Sequence, residues 1–225
     1  MPRSLLSSLL RRPLPRAINS RRARLALLGL EDRTVPAITA AYDAGTKVLT
    51  VTGDAAVNEI SVEMVGTKVG VFKDFVTGTK APVPITGAPA TGITLALLSK
   101  VVVNAAAGND VVSVDAKITK PAELNGGDDN DNLTGGSGSD SIDGGNGDDL
   151  LLGGKGNDTV IGGAGVDSIE GNFGNDSLIG GPGQDAIVGG AGNDFISGGD
   201  DNDTLFGDDS NPKTKGNDTV SGGAG

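Results

Sequence analysis

Gly126-Gly127-Asp128-Asp129-Asn130-Asp131-Asn132-Leu133-Thr134 is the first of ten units that follow one another as GGDDNDNLT, GGSGSDSID, GGNGDDLLL, GGKGNDTVI, GGAGVDSIE, GNFGNDSLI, GGPGQDAIV, GGAGNDFIS, GGDDNDTLF and GDDSNPKTKGNDTVS, ending at Ser221. All are nine residues long except the last, which carries six extra residues around Asn211-Pro212-Lys213. The sixth place is always Asp: Asp131, Asp140, Asp149, Asp158, Asp167, Asp176, Asp185, Asp194, Asp203 and Asp218. The eighth is always aliphatic: Leu133, Ile142, Leu151, Val160, Ile169, Leu178, Ile187, Ile196, Leu205 and Val220. A Gly- and Asp-rich tail is ordinarily disordered, but disorder needs no aliphatic residue at a fixed place in every unit. Fixed phase is the mark of units that stack on their neighbours.

A strand sends successive side chains to opposite faces, so an aliphatic residue at place eight between polar neighbours predicts a three-residue strand with its middle residue inward. The other six residues are then expected to turn the chain. Glycines at places one, two and usually four permit positive φ in such a turn. Where place four is not Gly it is Asp129 or Asp201, and Asp tolerates the left-handed region better than most residues. Two strands and two turns make one coil, and like sides of successive coils should stack at about 4.8 Å. Asp131, Asp149, Asp167, Asp185 and Asp203 would then run down one side, and Asp140, Asp158, Asp176, Asp194 and Asp218 down the other. Between neighbours in a row lies a cage of carboxylate and backbone oxygens without nitrogen or sulfur. Hard oxygen donors in flexible geometry select Ca2+ over transition metals, and over Mg2+, which dehydrates reluctantly.

Composition points the same way. Of 38 glycines, 29 fall in residues 126–225, a stretch with nineteen acids against three Lys, whereas residues 1–30 carry seven Arg and no acid. The acidic part repels nucleic acid and anionic membranes and attracts cations. Aromatic residues are 3% of the chain and Trp is absent, which argues against a bulky globular core. With no Cys and no His, disulfides, thiolate or imidazole zinc sites and His-based triads are excluded. No apolar run approaches the ~20 residues of a membrane span.

The chain ahead of the repeats divides in two. Residues 1–36 read as a targeting leader or a disordered basic arm. Ser20-Arg21-Arg22 before Leu25–Leu30 is similar to a twin-arginine export signal, although the six apolar residues fall short of the usual apolar region. Leu30–Ala37 resembles a short segment that heads many secreted or surface repeat proteins of some bacteria. Residues 37–104 alternate with period two at Lys47–Thr52, Ile60–Met64 and Lys68–Phe72, the signal for half-buried strands. A separate β-sandwich is one reading. The other is a degenerate solenoid cap, because Gly53–Ser61 fits the nine-residue frame with Asn58 in the metal place, and Ala105–Ser113 fits it with Gly108, Asp110 and Val112. Lys117–Asn125 fits only through Leu124.

The units at residues 126–221 closely resemble the RTX, or hemolysin-type, calcium-binding repeat GGxGxDxUx. That resemblance implies an all-β, right-handed parallel β-roll over residues 105–225, with several Ca2+ ions shared between stacked turns. Asn172 departs from it by replacing the second Gly of its unit, and the last unit departs from it by the insertion before Asp218. Each coil buries only two place-eight side chains, too little to offset the ordering of its residues, so folding is expected to need the metal. The leading expectation is an extracellular calcium-binding structural module, secreted or at the cell surface, with calcium ions as partners and neither nucleic acid nor membrane span. The alternatives are an adhesion or surface-assembly scaffold that self-associates or makes cell-surface contacts, and a non-catalytic fragment of a larger RTX enzyme. An enzyme is not expected: there is no HExxH and no GxSxG, and too little chain precedes the repeats for a catalytic domain.

Overall fold

Alternating Val, Leu and Thr from Val48 to Thr52 form a strand whose Leu49 and Val51 are fully buried, and the same inward alternation recurs along the chain. The computed structural model describes residues 37–74, 80–208 and 216–224, so the expected leader or arm at residues 1–36 lies outside the described residues. The strands are β1 (Thr39–Asp43), β2 (Val48–Thr52), β3 (Glu59–Val65), β4 (Lys68–Asp74), β5 (Lys80–Pro82), β6 (Ile85–Thr86), β7 (Lys100–Ala107), β8 (Val111–Val114), β9 (Ala122–Asp128) and β10 (Asn132–Thr134). They continue as β11 (Ser141–Asn146), β12 (Leu150–Lys155), β13 (Thr159–Ala164), β14 (Ser168–Phe173), β15 (Ser177–Pro182), β16 (Ala186–Ala191), β17 (Phe195–Asp200), β18 (Thr204–Asp208) and β19 (Thr219–Ala224). No helix long and apolar enough to cross a membrane occurs among the described residues.

These strands form two sheets facing each other across one thin core, a parallel β-solenoid. One sheet has the order β19-β17-β15-β13-β11-β9-β7-β2-β1-β6 and the other β18-β16-β14-β12-β10-β8-β3-β4-β5. Within the repeats every pairing is parallel and joins like places one coil apart, as in Ile142↔Val160 and Leu151↔Ile169. The insertion before Asp218 lengthens its coil without breaking register, since Ile196 pairs with Val220. Strands β2 and β3 pair in parallel with β7 and β8, so they extend the sheets of the repeats instead of forming a sandwich of their own. Beyond them β1, β6, β4 and β5 cover the N-terminal end, with antiparallel pairing for β1–β2, β3–β4 and β4–β5.

Two local expectations need correction. Typical repeat strands span six residues, not three, because places one to three keep pairing with the next coil after the chain has begun to bend; β13, for example, runs Thr159–Ala164 with Val160 and Gly162 inward. The turn is left with places four to six. Place-one glycines such as Gly144 and Gly162 are absent from the positive-φ residues, so that glycine is demanded by space, as the site shows. Asp129 and Asp201 do adopt left-handed φ, at 74° and 75°. So does Asn172, at 73°.

The core is uneven along the axis. Each repeat strand contributes one aliphatic side chain, from Leu133 to Ile196 all buried, whereas β2, β3, β7 and β8 each contribute at least two: Leu49 and Val51, Ile60 and Val62, Val101 and Val103, Val112 and Val114. At the other end Val220 is 47% exposed. Removing the Leu151 side chain, at 0% exposure, should therefore destabilise the calcium-loaded protein by about 2–5 kcal/mol, and removing that of Val220 by less than about 0.5 kcal/mol, in denaturant unfolding.

Candidate metal centre

The place-six carboxylates are turned inward at the bends between the two sheets. Asp131, Asp140, Asp149, Asp158, Asp167, Asp176, Asp185 and Asp194 are all at most 3% exposed. Their backbones and side chains link along the axis. The Asp131 N–H donates to Asp149 Oδ1 at 2.7 Å, Asp149 to Asp167 at 2.9 Å, Asp167 to Asp185 at 2.9 Å and Asp185 to Asp203 at 3.0 Å. On the opposite side Asp140 donates to Asp158 at 2.8 Å, Asp158 to Asp176 at 2.8 Å, Asp176 to Asp194 at 2.9 Å and Asp194 to Asp218 at 3.0 Å. All ten residues picked out by the sequence thus fall into the two rows expected of them. The first row also extends backward to Asp110, whose N–H donates to Asp131 Oδ1, and to Asn58, whose N–H donates to Asp110 Oδ1.

One oxygen of each carboxylate is accounted for by that bond. The other, Oδ2, has no donor in Asp131, Asp149, Asp158, Asp167, Asp176, Asp185, Asp194 and Asp203, and none in Asp110. Each of the eight repeat oxygens faces a carbonyl oxygen of the next coil. A Cβ built on Gly153 would have Asp158 Oδ2 at 2.7 Å and the Gly171 carbonyl oxygen at 2.8 Å, and the same pair surrounds Gly126, Gly144, Gly162, Gly171, Gly180, Gly189 and Gly198. Any side chain at place one would fill that space. Two buried acceptors facing each other, with no donor between them, fit a cation.

The ends of the rows differ. Asp140 has donors on both oxygens, Ala122 N–H on Oδ1 and Gly136 N–H on Oδ2, each at 2.7 Å. At Asp110 the place-one residue is Ala105, whose methyl stands where the repeats have glycine.

Burial away from water pushes the carboxyls up from their usual 3.8, opposed by the N–H of the preceding coil and reinforced by like charges along the row. Asp131 and Asp176 reach about 7, and Asp158 and Asp167 about 6. Asp149, Asp185 and Asp194 move the same way for the same leading reason. Asp140 rises to about 6 through burial, against its two N–H donors.

No three acidic side chains converge on one point among the described residues, so an ion here would need backbone carbonyls among its ligands. The donor set is oxygen throughout, which suits Ca2+.

Sequence reading passed over an outer row at place five. Asn175 N–H donates to Asn157 Oδ1 at 3.0 Å, Asn193 to Asn175 at 2.7 Å and Asn217 to Asn193 at 2.8 Å. Recurrence of Asn at that place was the available signal. Phe173, Phe195 and Phe206 point outward, at 54%, 46% and 57% exposure.

No curated protein and no solved structure matches the chain. The family model for the RTX calcium-binding nonapeptide repeat (4 copies) matches residues 125–160, 152–187, 161–196, 179–211 and 214–225, ranges that begin after β8. The periodic rows of carboxylates across the β-solenoid from residue 125 onward are therefore an array of RTX calcium-binding nonapeptide repeats.

Proposed function

We propose that this chain is a secreted or cell-surface structural module that binds several calcium ions between stacked turns, folds as it binds them, and has no catalytic chemistry of its own. The eight unpartnered Oδ2 atoms facing carbonyl oxygens carry this reading. A buried polar atom without a partner costs about 1–3 kcal/mol, and more when charged. A row of them leaves the metal-free repeats at a disadvantage that bound calcium removes by supplying positive charge to both acceptors.

The residues divide the task. Asp131, Asp149, Asp158, Asp167, Asp176, Asp185, Asp194 and Asp203 would hold the ions, with the place-one carbonyls of the next coil beside them. Each Oδ1, tied to an N–H of the coil before it, keeps its carboxylate from swinging out to solvent. Asp140, with both oxygens already engaged by N–H groups, would be the weakest ligand of the ten. Affinity in the ~10⁻⁴ to 10⁻³ M class of extracellular modules would leave the repeats loose in a low-calcium cytoplasm and set them outside.

Circular dichroism of the full chain, titrated from excess chelator to millimolar calcium, should show most of its β signal appearing cooperatively with the metal. A β signal already complete in chelator, or no heat of binding at millimolar calcium, overturns the reading. A second reading, a surface-assembly scaffold, draws on the outward Ile161 and Phe195 of one sheet and Phe173 and Phe206 of the other. Calcium-dependent growth in light scattering would favour it; an unchanged monomer would remove it.

A further inference from the structure

Asn58 stands in the same row as the place-six carboxylates, yet its amide does what none of them can. Its Nδ2 lies within hydrogen-bond distance of four oxygens: the Ala56 carbonyl at 2.6 Å, the Asp54 carbonyl at 3.1 Å, Asp110 Oδ1 at 3.1 Å and the Ala105 carbonyl at 3.3 Å. The last of these is the counterpart of the carbonyl that faces the eight unpartnered Oδ2 atoms of the repeats. Around Gly53, the place-one glycine of this unit, a Cβ would meet Asn58 Nδ2 at 2.8 Å beside the Ala105 carbonyl oxygen; around Gly153 it would meet Asp158 Oδ2 and the Gly171 carbonyl oxygen. An acceptor facing an acceptor has been replaced by a donor facing an acceptor. The rung closes with a direct hydrogen bond where the repeats leave two oxygens to be bridged.

The second row begins in the same manner by other means, with Ala122 and Gly136 N–H groups occupying both oxygens of Asp140. The strands around these starting points carry the denser apolar core: Leu49, Val51, Ile60, Val62, Val101, Val103, Val112 and Val114 are all buried, and Ile118 and Ile93 fill the space beside them. Antiparallel β1, β4 and β5 cover this end. Asn58 Oδ1 and Asp110 Oδ2 remain without donors here, but the acceptor-on-acceptor contact is gone at the Asn58 rung and each strand buries at least two aliphatic side chains where a repeat strand buries one.

We infer that residues 37–125 form a calcium-independent template, closed at its first rung by Asn58, on which the repeats fold in the direction from N- to C-terminus as calcium is added. The inference rests on calcium-coupled folding of the repeats. In a solenoid each coil touches only its neighbours, so the coil with a finished edge to pair against closes first. The edges on offer are β9 in one sheet and β8 in the other.

Hydrogen exchange on the full chain, read by peptide in chelator and at rising calcium, tests it. Amides of β2, β3, β7 and β8 should exchange at least about a hundredfold more slowly in chelator than those of β12 to β18, and subsaturating calcium should protect β11 and β12 before β16 and β17. If the N-terminal strands exchange as freely as the repeats in chelator and both close together with calcium, the template is refuted while calcium-coupled folding stands. If the repeats are already protected in chelator, calcium-coupled folding itself fails, and the template with it.

Two variants separate the role of Asn58 from ordinary packing. Asn58→Asp puts a carboxylate in the row, so protection of β2 and β3 should be lost in chelator and return with calcium. Asn58→Ala offers neither donor nor ligand, so protection there should fall in chelator and stay low with calcium. Asn58→Asp protected as well as the parent chain in chelator would refute the assignment, as would failure of calcium to restore it.

Discussion

Gly174→Ala is expected to raise the calcium concentration needed to fold the repeats by at least about tenfold, or to prevent folding of the coils beyond it, equivalent to a loss of about 3 kcal/mol or more. Gly174 occupies place four at φ 143°, a region left almost entirely to glycine. A Cβ there would fall nearly on the carbonyl oxygen of Gly156 and 2.5 Å from its carbon, both backbone atoms of the coil before it, so no side-chain rotation relieves the clash. The two coils would have to separate, and with them Asp158 and Asp176, whose bond at 2.8 Å closes the row at that level. Gly222→Ala is the control, since nothing lies within 4 Å of the Cβ it would add. Calcium titrations of both variants by circular dichroism check the pair. Equal midpoints would show that contact between turns does not set the fold.

Acid should substitute in part for calcium. In the metal-free protein, burial raises Asp131 and Asp176 to about 7 and Asp158 and Asp167 to about 6, against 3.8 for an unperturbed carboxyl. Between those values the folded chain binds more protons than the unfolded one. The stability linked to these groups is therefore fully present below pH 3.8 and is lost as pH rises through about 6 to 7. Each excess proton contributes about 1.4 kcal/mol per pH unit. Metal-stripped protein should gain β signal when the pH is lowered from 7.5 to about 5, and lose it on return. With calcium present the sign reverses, because protons compete with the ion for the same oxygens, and the calcium midpoint should rise as pH falls. A metal-free spectrum unchanged between pH 5 and 8 would contradict both parts.

Much of this was written in the period. An aliphatic residue at place eight and Asp at place six suffice to predict two sheets, a coil of two units and two rows of carboxylates, because stacking identical units brings identical places together. The frame also reached Asn58 and Asp110, outside the residues that match the repeat family. What it missed is how each backbone turns. Equal letters at places one and two hide different demands: Gly162 needs room for Asp167 Oδ2, while Gly163 needs a φ of 111°. Gly136 escapes that φ and uses its N–H on Asp140, which no count of glycines reveals. The cap built by β4, β5 and β6 was beyond reach for another reason. Its strands pair with partners that repeat nothing, so only the folded arrangement says which edge they cover.

Register one coil apart also limits how such a chain can lengthen or shorten over evolutionary time. Excising Gly144–Ile161, one whole coil, would return every later residue to its own sheet and its own carboxylate row. Excising a single unit would transpose them all, sending Phe195 to the face of Phe206 and setting Asn175 among the bends that now hold Gln184. Gain and loss by pairs of units is neutral to the layout; gain and loss by one is a change of sides.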